Sequence, residues 1–321
     1  MNEGLKIIFM GTPEFARGIL AQILESEHDV LAVVTAPDRP AGRGQKLRQS
    51  AVKIYSESKN IAVLQPEKLR EEAFTEALKQ YNADLFVVVA FRMLPEIVWS
   101  LPSKGTINLH ASLLPNYRGA APINWAIMNG EKSSGVTTFF INEKIDTGDI
   151  IKRRQVNITE NMNAGELHDL LMKDGAELVV ETLHYLKSDD FEKEKQIDIE
   201  IDTLKHAPKI FKPDCKIEWN LQAQSIHNKI RGLSPYPGAW CEIENKSKGS
   251  VVQFKLFSSL LTDMIPASGD SSLRATEYGI LFPCKDLFIS VKELQMEGKR
   301  RMNFKEFLAG NKIEDFVLIQ E

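Results

Sequence analysis

The sequence predicts an α/β fold: a doubly wound, mostly parallel, Rossmann-like sheet followed by a small OB-like C-terminal β-barrel. The first observation is a pair of apolar runs at residues 5–10 and 30–35, which flank an amphipathic helix at 14–25. Such a βαβ unit indicates a parallel sheet with a right-handed crossover. The second observation is a series of short strand-like runs after residue 209, separated by turn residues, which is typical of a small barrel or sandwich.

Apolar periodicity places the remaining elements of the first domain. We expect strands at residues 61–64, 85–90, 106–110, 135–141 and 150–156, and helices at 67–81, 123–128 and 164–186. The last two strands should pair on either side of a loop that contains Asp146.

A charged stretch separates the two predicted domains. Residues 187–204 read KSDDFEKEKQIDIEIDTL and lack a sustained apolar face, which indicates a linker. The predicted limits are therefore 1–188 for the first domain, 189–208 for the linker and 209–321 for the second domain. In the second domain we expect one helix at 223–232 and strands at 239–243, 251–257, 271–275, 279–282 and 287–291.

Composition and charge limit the possible classes of function. With 43% hydrophobic and 26% charged residues, the chain has the composition of an ordinary globular protein. Its net charge of −4 excludes a uniformly basic nucleic-acid binder but leaves room for a basic patch. From residue 209 onward, 16 Lys and Arg face 14 Asp and Glu, so the second domain is slightly basic.

The cysteines and the N-terminal residues indicate the cellular compartment in which the protein is expected. Cys215, Cys241 and Cys284 are too few and too far apart for a disulfide framework or a zinc knuckle, so a reducing cytoplasm is expected. The apolar run at residues 5–10 is too short for a signal peptide or a membrane span.

The stretch at residues 106–122, TINLHASLLPNYRGAAP, contains the strongest candidate for an active site. Asn108 and His110 are two residues apart on a predicted strand, so their side chains point to the same face at the strand's C-terminal end. Asp146 follows a different predicted strand. Together these groups could handle protons and stabilise an oxyanion. Taken alone, a strand histidine is more often a structural hydrogen-bond partner, and only the combination favours catalysis.

The turn after the first strand favours structure over cofactor binding. Gly11, Thr12 and Pro13 contain neither a GxGxxG fingerprint nor a Walker loop. We therefore expect neither a nicotinamide cofactor nor a nucleoside triphosphate.

Two basic clusters are candidates for contact with a polyanion. The first follows the second strand and contains Arg39, Arg43, Lys46 and Arg48. The second lies in the C-terminal domain and contains Lys299, Arg300 and Arg301. Each alone is more often a solvated turn, whereas the two together favour a joint role.

At this level of detail the chain resembles the methionyl-tRNA formyltransferase family. The resemblance rests on INLHASLLPNYRGAAPINWAI, IDTGDII, IIFMGTPEFA and APDRPAGRGQKL, and it extends to KIEWNLQAQSIHNKIRGLSPYPGAW near the start of the second domain. It implies transfer of a formyl group from 10-formyltetrahydrofolate to the α-amine of methionine on initiator methionyl-tRNA. It also implies a catalytic first domain and a tRNA-binding barrel, with no metal required and a monomer expected.

The resemblance assigns roles to individual residues. The catalytic set would be Asn108, His110 and Asp146, with the amide and a protonated imidazole as donors to the oxyanion and a water held by Asp146 as proton acceptor. The folate-binding residues would be Ser112, Leu113, Leu114, Pro115, Phe91, Arg92 and Met93. The tRNA-binding residues would be Arg39, Arg43, Lys46, Arg48, Lys299, Arg300 and Arg301.

One segment departs from the family pattern. The family usually carries VVVAYGxILP where this chain has VVVAFRMLP, so Phe91 and Arg92 replace a Tyr-Gly pair in a loop that is one residue shorter. We expect the pterin pocket to tolerate this change because its contacts in this loop would come from the main chain.

Two other functions remain open at this level. A formyltransferase acting on a small amine, such as glycinamide ribonucleotide or an amino-sugar nucleotide, would share the same core motifs. A non-catalytic tRNA- or folate-binding protein could also use this scaffold, although the intact Asn108, His110 and Asp146 argue against it.

Overall fold

The computed structural model describes residues 4–41, 46–196 and 204–319. The chain forms two compact units, each with its own sheet. Unit 1 comprises residues 1–119, 134–156 and 168–207, and unit 2 comprises residues 120–133, 157–167 and 208–321. The domain limits expected from the sequence stay predictions.

The elements follow one another in this order through residue 207: β1 (Lys6–Gly11), α1 (Glu14–Leu24), β2 (Asp29–Val34), β3 (Arg39–Ala41), β4 (Lys46–Arg48), α2 (Ala51–Ser58), β5 (Ala62–Leu64), α3 (Glu72–Gln80), β6 (Leu85–Val89), α4 (Glu96–Trp99), β7 (Thr106–His110), β8 (Arg118–Gly119), α5 (Pro122–Met128), β9 (Ser133–Phe140), β10 (Ile150–Asn157), α6 (Ala164–Tyr185) and β11 (His206–Ala207). After them come α7 (Ala223–Gly232), β12 (Ala239–Asn245), β13 (Ser250–Leu261), β14 (Arg274–Thr276), β15 (Gly279–Pro283), β16 (Phe288–Met296), β17 (Met302–Asn303), α8 (Phe304–Gly310) and β18 (Phe316–Leu318).

The main sheet of unit 1 has the strand order β10-β9-β7-β6-β1-β2-β5. Neighbouring strands from β7 to β5 are parallel, and β9 runs antiparallel to β7. Strands β1, β2 and β6 are almost wholly buried because helices cover both faces, which is why they appear as continuous apolar runs. This confirms the predicted doubly wound, Rossmann-like sheet.

Helices α1 and α3 show how the sequence covers this sheet. Phe15, Ile19 and Ile23 are spaced by about one turn on α1, and all three are buried. On α3, Phe74 and Leu78 belong to a buried cluster that also contains alternate residues of β1 and β2. The apolar residues that predicted these helices are therefore the ones that pack against the sheet.

The charged segment after α6 lies along the edge of this sheet. Ile150 and Glu194 exchange backbone hydrogen bonds of 2.7 and 2.8 Å, and Arg153 forms an ion pair with Glu194. The ring of Phe191 stacks on that of Phe140 with centroids 5.9 Å apart. Residues 191–196 are thus part of unit 1 and held against the edge of its main sheet, despite their lack of a sustained apolar face.

Unit 2 is built on an antiparallel sheet of order β14-β15-β16-β13-β12-β18, with β17 paired to β16. An isolated bridge between Ser272, just before β14, and Val317 in β18 brings the two edges of the sheet together. Its core contains Phe254, Phe307 and Phe316, whose rings contact one another at centroid distances of 5.4–5.7 Å. This curled sheet confirms the predicted small barrel.

The structure shows the state of the cysteines and the length and polarity of the helices. Cys215, Cys241 and Cys284 are buried free thiols. In residues 4–41, 46–196 and 204–319, every helix is too short or too polar to cross a bilayer.

Burial of His28 predicts that the stability of unit 1 depends on pH. Its side chain is 5% exposed, and its Nδ1 accepts a hydrogen bond of 3.1 Å from the backbone N–H of Leu5. Burial lowers the pKa of His28 from 6.5 to about 4. The unfolded chain therefore binds this proton at a higher pH than the native protein does. We expect the free energy of unfolding to fall by up to about 3 kcal/mol as pH decreases from 6.5 to 4.

Chemical denaturation at several pH values measures this dependence. The variant His28→Asn removes the titrating group and keeps an acceptor for Leu5 N–H, so its unfolding free energy should vary less over the same range. Equal pH dependence in the two proteins would show that His28 does not cause it.

Candidate active site

Strand β7 presents the first two candidate residues. Asn108 and His110 lie on one face of this strand, which is hydrogen-bonded to β6 on one side and to β9 on the other. His110 is 8% exposed, and Asn108 is partly buried. The buried Oδ1 of Asn108 has no hydrogen-bond partner within the part of the chain that the structure describes. An unpaired buried acceptor is costly, so its presence favours a ligand-binding role over a structural one.

The loop after β7 fixes the orientation of His110. Its Nε2 lies 2.8 Å from the backbone carbonyl oxygen of Tyr117. Since a carbonyl can only accept, Nε2 carries the ring proton and Nδ1 is the nitrogen that faces Asp146. Tyr117 adopts a left-handed conformation with φ 60°, which belongs to the turn that brings its carbonyl to the ring.

Asp146 is the third candidate, and it lies close to His110. Its Oδ2 is 3.8 Å from His110 Nδ1 and accepts a hydrogen bond of 3.0 Å from the backbone N–H of Gly119. The carboxylate is largely buried, with 12% of the side chain exposed. The distance of 3.8 Å is too long for a direct hydrogen bond, so the pair interacts through charge or through a bridging water.

The turn Ser112–Pro115 is held by a small hydrogen-bond network. Thr137 Oγ1 donates to the carbonyl of Ser112 at 2.7 Å and accepts from the N–H of Leu114 at 3.2 Å. The Leu114–Pro115 peptide bond is cis. Leu113 packs closely against Gly135: a Cβ added at Gly135 would lie 2.5 Å from a methyl group of Leu113. The predicted folate-binding turn is therefore a rigid, closely packed segment.

Residues Phe91, Arg92 and Met93 form the segment that departs from the family pattern. Arg92 donates to the carbonyls of Pro66 and Glu67, the latter at 2.8 Å, and so ties the short loop to the segment before α3. Burial, and to a lesser extent the charge of Arg39, lowers the pKa of Arg92. Met93 is 69% exposed, whereas Phe91 packs against the buried cluster under the sheet.

The first basic cluster lies on a two-stranded hairpin. Arg39 in β3 and Arg48 in β4 occupy directly opposed positions, and both side chains are exposed. Two like charges at opposed positions repel each other, and an anion between them would relieve that repulsion. Lys46 begins β4, and only its backbone is described; Arg43 lies outside the described residues.

Asp38 anchors this hairpin. Its carboxylate accepts from Lys53 Nζ at 2.6 Å and from Gln65 Nε2 at 2.8 Å. These hydrogen bonds lower the pKa of Asp38. The hairpin is thus fixed at its base to helix α2 and to the segment after β5.

The second basic cluster, in unit 2, is partly neutralised. Arg300 Nη2 lies 2.7 Å from Glu306 Oε1, and Arg301 forms an ion pair with Glu293. The guanidinium of Arg301 also lies 4.4 Å from the centroid of the Phe257 ring. Lys299 is exposed. These pairs reduce the positive charge that this cluster offers to a polyanion.

Sequence reasoning missed two side chains that hold the candidate site together. Thr137 lies opposite His110 in the β7–β9 pairing, which the sequence did not predict. Gln196 bridges the loops of Arg118 and Asp146 from a segment read as a linker, and no local pattern indicates that contact.

A group of potential metal ligands occurs away from this site. Glu27, His28 and His184 place ligand-type atoms within 4.8 Å of one another. Lys187 Nζ already lies 2.6 Å from Glu27, and the proton on His28 Nε2 follows from the bond that its Nδ1 accepts. A metal ion at His28 Nε2 would require the opposite tautomer, so this arrangement does not suit a metal centre.

Family models and sequence relatives agree on the type of protein that this chain is similar to. The model of the formyl transferase family matches residues 5–183, and the model of the formyl transferase C-terminal domain matches residues 209–312. A methionyl-tRNA formyltransferase of Flavobacterium johnsoniae is 48% identical over 98% of both chains. One from Bacteroides thetaiotaomicron is 46% identical, also over 98% of both.

Solved structures share the fold at lower identity. HypX from Aquifex aeolicus, in complex with tetrahydrofolic acid, has a TM-score of 0.64 and 18% identity over 95% of this chain and 47% of its own. An N-formyltransferase from Helicobacter canadensis, in complex with folinic acid and dTDP-3-aminofucose, has a TM-score of 0.62 and 21% identity over 93% of this chain and 100% of its own.

Proposed function

The chain belongs to the formyl transferase family, and within it to the methionyl-tRNA formyltransferases, and from this premise we propose that it formylates the α-amine of methionine on initiator methionyl-tRNA. The formyl donor is 10-formyltetrahydrofolate, and the protein acts as a cytoplasmic monomer. The observation that carries the proposal is the buried His110–Asp146 pair next to Asn108, whose Oδ1 has no hydrogen-bond partner among the residues that the structure describes.

The residues present fit a folate donor. The unpaired Oδ1 of Asn108 marks a place where a ligand group is needed, and the rigid turn at Ser112–Pro115 follows the same strand. That turn and the loop of Phe91, Arg92 and Met93 would hold the donor, which supplies the formyl group. Asn108 then offers Nδ2 as a donor to the formyl oxygen and Oδ1 as an acceptor for an N–H of the incoming amine.

His110 and Asp146 would stabilise charge and assist proton transfer during the reaction. Since Nε2 is committed to Tyr117, the protonated ring would present its second N–H on the side of Asp146. The carboxylate complements the positive charge of such a ring. A water molecule held by this carboxylate would take the proton that the attacking amine loses.

A direct assay tests this function. Methionyl initiator tRNA should be formylated with 10-formyltetrahydrofolate, whereas glycinamide ribonucleotide and an amino-sugar nucleotide should react far more slowly. His110→Ala should abolish most of the activity. Faster formylation of a small amine would favour the alternative transferase, and undiminished activity of His110→Ala would remove the proposed site.

The basic hairpin is proposed to bind phosphates of the tRNA. Arg39 and Arg48, two positive charges at directly opposed positions, support this proposal, as does the anchoring of the hairpin by Asp38. Lys299, Arg300 and Arg301 would add weaker contacts because two of them are already paired with carboxylates.

Replacing Arg43 with alanine should weaken the use of charged tRNA more than the binding of folate. Loss of one phosphate contact lowers the slope of log affinity against log salt by about 1, and the wild-type affinity itself should fall steeply with salt. Binding titrations at several salt concentrations measure both effects, with Lys79→Ala on the exposed face of α3 as control. A flat salt response, or a selective loss of folate binding, would contradict this placement.

A further inference from the structure

Gln196 joins the two loops that carry the candidate catalytic groups. Its Oε1 accepts from Arg118 Nε at 3.2 Å and from Arg118 Nη2 at 2.6 Å. Its Nε2 donates to the carbonyls of Asp146 and Gly148 at 3.1 and 2.8 Å. One half-buried amide thus uses both of its polar atoms to hold two segments that are distant in sequence.

Both of these loops determine how His110 faces Asp146. The loop of Arg118 contains Tyr117, whose carbonyl holds the imidazole, and Gly119, whose N–H holds the carboxylate. The other loop contains Asp146 itself, in a left-handed conformation with φ 54°. A non-glycine residue in this region depends on its surroundings to stay there, and the bond from Gln196 to its carbonyl is one such constraint.

The backbone around Gln196 is itself fixed. Glu194 exchanges two backbone hydrogen bonds with Ile150 at the edge of the sheet, and Phe191 stacks on Phe140. The side-chain amide of Gln196 is therefore attached to a fixed segment, so its hydrogen bonds can hold the Arg118 and Asp146 loops in place.

We propose that Gln196 is a positioning residue for formyl transfer, which acts by holding the Asp146 loop against the Arg118 loop so that the carboxylate faces His110. The proposal rests on the proposed function for its kinetic consequence and on the hydrogen bonds alone for its structural one. Glutamate at this position would keep the acceptor for Arg118 but lose both donors to the Asp146 loop. It would also place negative charge against two carbonyl oxygens.

The variants Gln196→Glu and Gln196→Ala test the kinetic consequence, with Lys195→Ala as a matched control on the exposed neighbouring position. Both Gln196 variants should lower kcat by roughly 10–100-fold, because a displacement of about 1 Å costs that much, while KM for tRNA and for the folate donor changes little. In an Asp146→Ala background the same substitutions should lower kcat no further. Wild-type kcat in Gln196→Glu, or an additive loss in the double variant, would overturn the proposal.

Hydrogen exchange tests the structural consequence without reference to activity. Peptides covering residues 116–119 and 146–149 should lose protection in Gln196→Glu and keep it in Lys195→Ala. If wild-type protein formylates no tRNA, the proposed function fails, and this measurement still decides the role of Gln196. Unchanged protection of both loops in Gln196→Glu would refute it.

Discussion

Replacing Asp146 with alanine is expected to lower kcat for tRNA formylation by roughly 10²–10⁴-fold, with little change in KM for charged tRNA. The carboxylate lies 3.8 Å from His110 and is largely buried, so solvent cannot easily replace it. The substitution removes both the charge opposite the imidazole and the carboxylate that would hold the proton-accepting water. Asn108→Ala should cause a loss of similar size, because it removes the amide donor. Steady-state kinetics with saturating folate donor measures these effects.

Two further variants separate the possible causes. Asp146→Asn keeps an acceptor for the N–H of Gly119 but removes the charge, so a similar loss of kcat would assign the effect to charge. Glu143→Ala, in the same loop and exposed, should retain wild-type kinetics. Wild-type kcat in Asp146→Ala would show that the proposed catalytic set is wrong.

Replacing Gly119 with alanine should cost both activity and stability. Gly119 has φ 121°, and a Cβ there would lie 2.5 Å from the carbonyl oxygen of Ala207 in β11, which is backbone and cannot rotate away. Relief of this clash requires the loop to move, and the N–H that holds Asp146 moves with it. We expect kcat to fall roughly 10²-fold, as for a misplacement of about 1 Å, and the strained conformation to cost about 1–3 kcal/mol.

The control for this variant is Gly249→Ala. Gly249 also has a left-handed conformation, with φ 59°, but a Cβ there would meet nothing within 4 Å. It should therefore lower the midpoint of thermal unfolding without changing kcat. Equal kinetic losses in the two variants would mean that the clash with Ala207 plays no part.

The elements that the sequence predicted are those whose apolar residues face the interior. Strands β6 and β7 were placed to within one residue, and α7 matches its expected range. Burial produces a continuous apolar run in β6, an alternation of apolar and polar residues in β7 and apolar residues at helical spacing in α7. Helix α2 was missed because it buries only Val52 and Ser56. Its start is set instead by Ser50, which accepts a hydrogen bond from Lys53 N–H. Helix α8 was missed for a similar reason, since a capping box of Asn303 and Glu306 defines it.

The candidate site was only partly predictable. The alternation of a strand is enough to place Asn108 and His110 on one face. The approach of Asp146 could be proposed from its position after another strand, but its distance from His110 is set by the folded path of both loops. Gln196 contacts Asp146 and Arg118, which lie 50 and 78 positions earlier in the sequence. Such contacts depend on the folded path of the chain.

The meeting of Ser272 with Val317 has a consequence for synthesis of the chain. The sheet of unit 2 cannot close until Val317 has emerged from the ribosome, so the edge near Ser272 remains unpaired until translation is nearly complete. During that interval Phe254 and Phe307 lack the aromatic partner Phe316. A nascent chain stalled shortly before this point would display open strand edges and an incomplete apolar core, the features that molecular chaperones recognise and that promote aggregation.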